Sequence, residues 1–117
     1  MDAIFDSQGY VVGWLEADVV YDKYGGACAF VTDGAVHDSS GAYFGQFDNR
    51  LFWDTDGLAV AFMAGAKGGP LLPRPEVPPI PPIPSVPLEA PALPTPPANP
   101  TTGTRWSTRS WETFLHG

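Results

Sequence analysis

Four aspartates, Asp6, Asp22, Asp38 and Asp54, stand sixteen residues apart, each preceded by a ring (Phe5, Tyr21, His37, Trp53) and followed three residues later by a glycine (Gly9, Gly25, Gly41, Gly57). Carboxylates beside aromatic rings are raw material for proton transfer, cation binding and ligand stacking. The spacing gives the aspartates a structural duty first. In an Asp-x-x-Gly turn the carboxylate accepts backbone N–H bonds from residues further along, which holds it ionised rather than poised to exchange protons. The rings Phe5, Tyr21, His37 and Trp53 are the constellation with ligand-binding chemistry. At equivalent positions around an axis they would line a shallow aromatic cup. Packing between neighbouring hairpins is the plainer fate of the same four residues.

Other chemistry finds little support. His37 and His116 lie in different segments, and no Cys and His pairing has the spacing of a metal site. Asp54, Thr55, Asp56 and Gly57 open like a calcium loop, but the later ligands and the closing glutamate are absent. The single cysteine, Cys28, holds a position filled elsewhere by Val12, Phe44 and Val60, and reads as a small core residue without a disulfide partner. No glycine loop precedes a helix to cradle phosphate. The expectation is therefore a protein that is not an enzyme, with no catalytic residue, no metal and no cofactor.

The residues that must position these groups form four copies of one unit, residues 4–19, 20–35, 36–51 and 52–67, without insertion or deletion. Two before each aspartate the residue is apolar (Ile4, Val20, Val36, Phe52), and seven after it is small (Gly13, Ala29, Gly45, Ala61). Apolar residues at a period of two, rich in aromatic and β-branched types, predict short strands. Each Asp-x-x-Gly closes a hairpin, and the connectors Glu16, Ala17, Asp18, then Thr32, Asp33, Gly34, then Asp48, Asn49, Arg50 lead into the next. Lone hairpins are marginal in water, so the copies must share a core. The terminal copies are as apolar as the inner ones, which favours closure into a ring and removes exposed strand edges.

The apolar-aromatic-Asp-x-x-Gly unit in four copies, followed by a proline tract and the ending Ser110, Trp111, Glu112, Thr113, Phe114, Leu115, resembles the bacterial four-fold β-flower domain proteins over nearly the whole chain. The resemblance implies a small all-β domain with pseudo-four-fold symmetry and supplies no catalytic residue. Tyr21, Asp22 and Gly25 also match the core of the longer and more numerous YD-repeats of Rhs-type shells, so a YD-repeat-like shell fragment is an alternative.

The fold class expected is all-β: four tandem hairpin repeats closing into a ring over 1–68, a proline-rich extended linker over 69–103, and an aromatic segment over 104–117. All fourteen prolines fall between Pro70 and Pro100. Residues 1–68 carry ten acids and three bases, whereas 69–117 carry three of each. An acidic globule with no basic patch argues against nucleic acid as a partner. The N-terminus lacks a basic and apolar leader pattern and no run is long enough to span a membrane, so a cytoplasmic location without membrane partners is expected.

Within the linker Val77, Ile80, Ile83 and Val86 recur every third residue, which in polyproline II geometry forms one apolar stripe. The stripe is expected to dock on the β domain or a neighbouring copy; serving as a ligand for an aromatic-lined groove is the alternative. At the end of the chain Trp106, Trp111, Phe114 and Leu115 call for burial, with Ser110 as an N-cap and i, i+3, i+4 spacing for one short helix. That segment either caps its own ring or serves as bait for another protein. The function expected is an interaction or assembly module that binds an unknown protein or itself, with small-ligand binding through the aromatic ring as the alternative.

Overall fold

The computed structural model describes residues 2–83 and 105–116. Among these, eight strands run in chain order: β1 (Asp2–Phe5), β2 (Val11–Glu16), β3 (Val19–Tyr21), β4 (Ala27–Thr32), β5 (Ala35–His37), β6 (Tyr43–Asp48), β7 (Leu51–Trp53) and β8 (Ala59–Phe62), followed by helix α1 (Trp111–His116). Each strand pairs antiparallel with the next, and β8 returns to β1 to close the barrel.

Two kinds of turn alternate around it. In the first, Oδ1 of each aspartate accepts two amides, two and four residues on, at 2.8–3.0 Å: Gln8 and Tyr10, Tyr24 and Gly26, Ser40 and Ala42, Asp56 and Leu58. Each following glycine has φ between 79° and 92°, where an L side chain would be strained. The second kind is shorter than the sequence suggested. Glu16, Thr32 and Asp48 end strands, leaving two-residue loops with positive φ at both positions (Ala17 and Asp18, Asp33 and Gly34, Asn49 and Arg50). Such loops have the type I′ twist that matches flanking strands.

The hairpins share one irregularity. Register shifts between Ile4 and Phe5, Val20 and Tyr21, Val36 and His37, and Phe52 and Trp53, so that Val12, Cys28, Phe44 and Val60 are left without a cross-strand partner. A bulge re-aims the side chain it frees. Phe44 and Val60 accordingly join the central core, and Val12 and Cys28 pack against it.

To the middle of that core each copy contributes one equivalent large residue, Ile4, Val20, Val36 and Phe52, all inaccessible to solvent. Their cross-strand partners are Gly13, Ala29, Gly45 and Ala61. A large residue in every copy thus faces a small one, and burying each large side chain stabilises the fold by about 1.5–3 kcal/mol. A second layer pairs across the seams between copies, ring on ring in three of them and glutamine on ring in the other: Trp14 with Tyr21, Phe30 with His37, Phe62 with Phe5, and Gln46 with Trp53.

From Met63 to Ile83 the described chain runs without helix or strand, and its later part passes along the outside of the barrel. The Glu76 amide donates to the Gly9 carbonyl at 2.8 Å, and the Glu76 carboxylate accepts the Val11 amide at 2.6 Å. A Cβ on Gly9 would lie 2.5 Å from the Arg74 carbonyl oxygen, and one on Gly25 would collide with that of Ile83. These equivalent contacts in adjacent copies are nine residues apart along the arm, about three turns of a polyproline II helix. The apolar stripe does not dock on the ring. Val77, Ile80 and Ile83 are 91–93% exposed, because the arm meets the ring through its backbone and Glu76; Val86 lies outside the described residues.

Candidate functional site

The Asp-x-x-Gly turns surround one mouth of the barrel, and the C-terminal segment enters there. Trp106 forms a parallel bridge with Ala59, whose amide donates to the Arg105 carbonyl while the Ser107 amide donates to the Ala59 carbonyl. The Trp106 indole donates to the Leu71 carbonyl at 3.2 Å and packs on Phe62. The Ser107 hydroxyl donates to Oδ2 of buried Asp54 at 2.5 Å. Arg109 reaches Asp54 at 3.8 Å and Asp56 at 3.5 Å and donates to the Thr55 hydroxyl. With Arg109 40% exposed, this ion pair contributes at most about 1 kcal/mol and chiefly sets register.

Ser110 caps the helix, its hydroxyl accepting the Thr113 amide at 3.1 Å. So short a helix is unstable alone, and its stability comes from its apolar face. Trp111 meets Phe52 edge-on at 5.0 Å, and Phe114 packs on Phe44 and Phe52. Both are nearly inaccessible, and Leu115 is partly buried against the same core. Space for them comes from the small residues beneath: a Cβ on Gly45 would lie 2.7 Å from the Phe114 ring, and Gly13 sits under the Trp111 indole. The aromatic segment is thus a cap on its own ring.

Between α1 and the first three turns lies an open cleft of about 1090 Å³. Val12, Cys28 and Val60 line it from below, Trp111 and Leu115 from the helix side, and Asp6, Asp22, Asp38, Lys23 and Glu112 stand around it. The Ser40 hydroxyl, aided by backbone amides, holds the Asp38 carboxyl below its ordinary range. Burial, then the nearby Asp22 charge, pushes the Cys28 thiol up, which makes it a poor nucleophile.

The rings Phe5, Tyr21, His37 and Trp53 do not form an open cup. All are at most 4% exposed and are spent on the seams. Phe5 stacks on Phe62 and His37 on Phe30. Nδ1 of His37 lies 3.0 Å from the Asp38 carbonyl oxygen and must donate to it, and Nε2 shares a hydrogen bond of 2.9 Å with the Thr32 hydroxyl, which it accepts when the ring is neutral. The Trp53 indole donates to the Asp48 carbonyl. Among the described residues no group of three or more His, Cys, Asp or Glu side chains is arranged to hold a metal ion, and no helix is long and apolar enough to cross a membrane. Sequence reasoning missed Glu76, Ser107 and Arg109 as anchors. Their signal was weak: single polar residues with partners more than fifty positions away.

The fold and its mouth define a closed, eight-stranded antiparallel barrel built from four hairpin repeats and capped by its own C-terminal helix. The chain belongs to the family described as 4-fold beta flower proteins, whose family model matches residues 2–115. No curated protein and no solved structure matched the chain.

Proposed function

We propose that this beta flower protein is a non-enzymatic interaction module that presents its proline arm to an aromatic-lined groove on another protein. The observation that carries the reading is the exposure of Val77, Ile80 and Ile83 at three-residue intervals while the backbone of the same segment is seated on the ring. Val77 precedes Pro78 and Ile80 precedes Pro81, and all four residues are exposed. Repeated apolar-proline pairs on one edge of an extended helix are what aromatic grooves recognise. Anchoring at Gly9 and Gly25 lowers the ordering cost of binding, so the arm is presented pre-organised.

The test is titration of the full chain with a purified proline-recognition domain, followed by calorimetry. Val77→Asp with Ile80→Asp should abolish binding without changing the melting temperature, because neither side chain supports the ring. Binding that survives both substitutions would reject the reading.

A further inference from the structure

The proline arm carries a repeat of its own. Pro73, Pro75, Val77 and Pro78 return nine residues later as Pro82, Pro84, Val86 and Pro87, and the first of these prolines returns twice more, as Pro91 and Pro100. Groups nine apart on a polyproline II helix face the same way, about 28 Å further along. Burial follows the same step: between Leu71 and Ile83 only Pro73 and Pro82 are half-buried, and the rest are exposed. The barrel repeat is matched to it. Gly9 lies under the Arg74 carbonyl and beside Pro75, and Gly25, one copy on, lies under the Ile83 carbonyl and beside Pro82. One copy of the barrel therefore takes up nine residues of arm. The two seats accept Arg74 and Ile83 alike, because a bare glycine at positive φ meets the backbone carbonyl and not the side chain.

Two residues past the glycine, the first and fourth copies each give a backbone amide to the later chain. The Val11 amide donates to the Glu76 carboxylate, and its counterpart, the Ala59 amide, donates to the Arg105 carbonyl. Glu76 and Arg105 stand twenty-nine residues apart, three steps of nine with two residues to spare. The described chain is last seated on the second copy, at Ile83, and is next described at Arg105 on the fourth, so the length between suits passage by the third. There the corresponding positions are Gly41, with φ of 90°, and Tyr43. Among the described residues the Tyr43 hydroxyl is the one buried side-chain polar atom without a hydrogen-bond partner. Leaving such a group unpaired costs about 1–3 kcal/mol, so a partner arriving at the third copy would be favoured.

We infer that the outer face of the ring is a repeated polyproline-binding surface with one seat per copy, and that the third seat, at Gly41 and Tyr43, takes residues 91–94 of this same chain with the Ala92 carbonyl over Gly41. The edge of the arm that meets the ring runs through Pro73, Glu76 and Pro82, and three-residue spacing places Pro91 on that edge. The arm then follows the four copies in order, counted off in nines. This concerns only how the arm is held, and it stands or falls independently of any partner for the arm's outward edge.

The test uses the full chain with a photo-reactive phenylalanine analogue in place of Leu93. Irradiation and peptide mapping should join that position to residues 38–43 of the same chain. A cross-linked dimer would assign the seat to a second copy and overturn the inference, as would cross-links elsewhere or none. Hydrogen exchange reads the same seat without a label. Replacing Pro91, Pro94 and Pro96 together by glycine removes the preset helix and leaves the ring intact. Exchange at the Tyr43 amide should then rise roughly two- to tenfold, the net worth of one hydrogen bond, with Val11 and Val36 unchanged. Exchange at Tyr43 equal in the variant and the wild type would overturn the inference as well.

Discussion

Phe5 and Phe62, near opposite ends of the barrel sequence, stack with ring centroids 5.3 Å apart and join β1 to β8. They occupy the fourth seam, in the positions that Trp14 and Tyr21 hold at the first. This single paired position closes the sheet, whereas each of the other seams pairs three. Phe62→Ala is expected to destabilise the protein by about 3–5 kcal/mol in chemical denaturation. A double-mutant cycle with Phe5→Ala should yield a coupling of about 0.5–1.5 kcal/mol. Additivity of the two changes would show that the stack does not help to close the ring.

Trp111 lies over Phe52 in the shared core, so the cap is part of the fold. Trp111→Ala should cost about 3–5 kcal/mol and lower the melting temperature of the isolated protein. An unchanged melting curve would contradict the cap.

Gly45 is confined by the Trp53 carbonyl and by the Phe114 ring. Gly45→Ala should destabilise by about 1–3 kcal/mol or more, from overpacking. In a Phe114→Ala background the penalty should shrink only in part, because the backbone clash persists. Calorimetric melting of the two single variants and the double variant measures this.

Glu76 clamps the arm through the Val11 amide. Glu76→Ala should accelerate hydrogen exchange at Val11 and leave exchange at Val20 unchanged, since one outer bond is lost and the core is not. Exchange at Val11 as slow as in the wild type would remove the clamp from the account.

Two titrations follow from the environments of Asp38 and Cys28. The Asp38 carboxyl is lowered by Ser40, so its contribution to stability is complete above the ordinary carboxyl range and lost as pH falls through the lower folded value. Ser40→Ala should move the Asp38 midpoint upward in a carboxyl NMR titration. The Cys28 thiol is raised, so the folded protein retains a proton that the unfolded chain releases. Stability should therefore decline as pH rises past the ordinary thiol range. Cys28→Ala should remove that part of the decline in denaturant midpoints measured at alkaline pH.

Much of the barrel was legible because its information is local and written four times. Asp6 and Gly9 specify a turn within four residues, and the alternation of Ile4, Phe5 and the following aspartate specifies a strand end. The bulges were not legible, since Val12 looks like any other strand residue until its register against Ile4 is known. The same holds for the fate of His37. Its place among Phe5, Tyr21 and Trp53 could be read from the spacing, but whether the four faced an opening or a seam depended on which strands became neighbours.

The amino-acid order by itself determined the hairpins, their number and the need for a common interior, because turn chemistry and period-two burial act over a few residues. Tertiary structure alone decided that β8 would meet β1, that Gly13 and Gly45 would admit Trp111 and Phe114, and that the arm would turn Val77, Ile80 and Ile83 outward. Those outcomes depend on contacts between residues up to a hundred positions apart, where shape and steric exclusion select among partners that local propensity cannot tell apart.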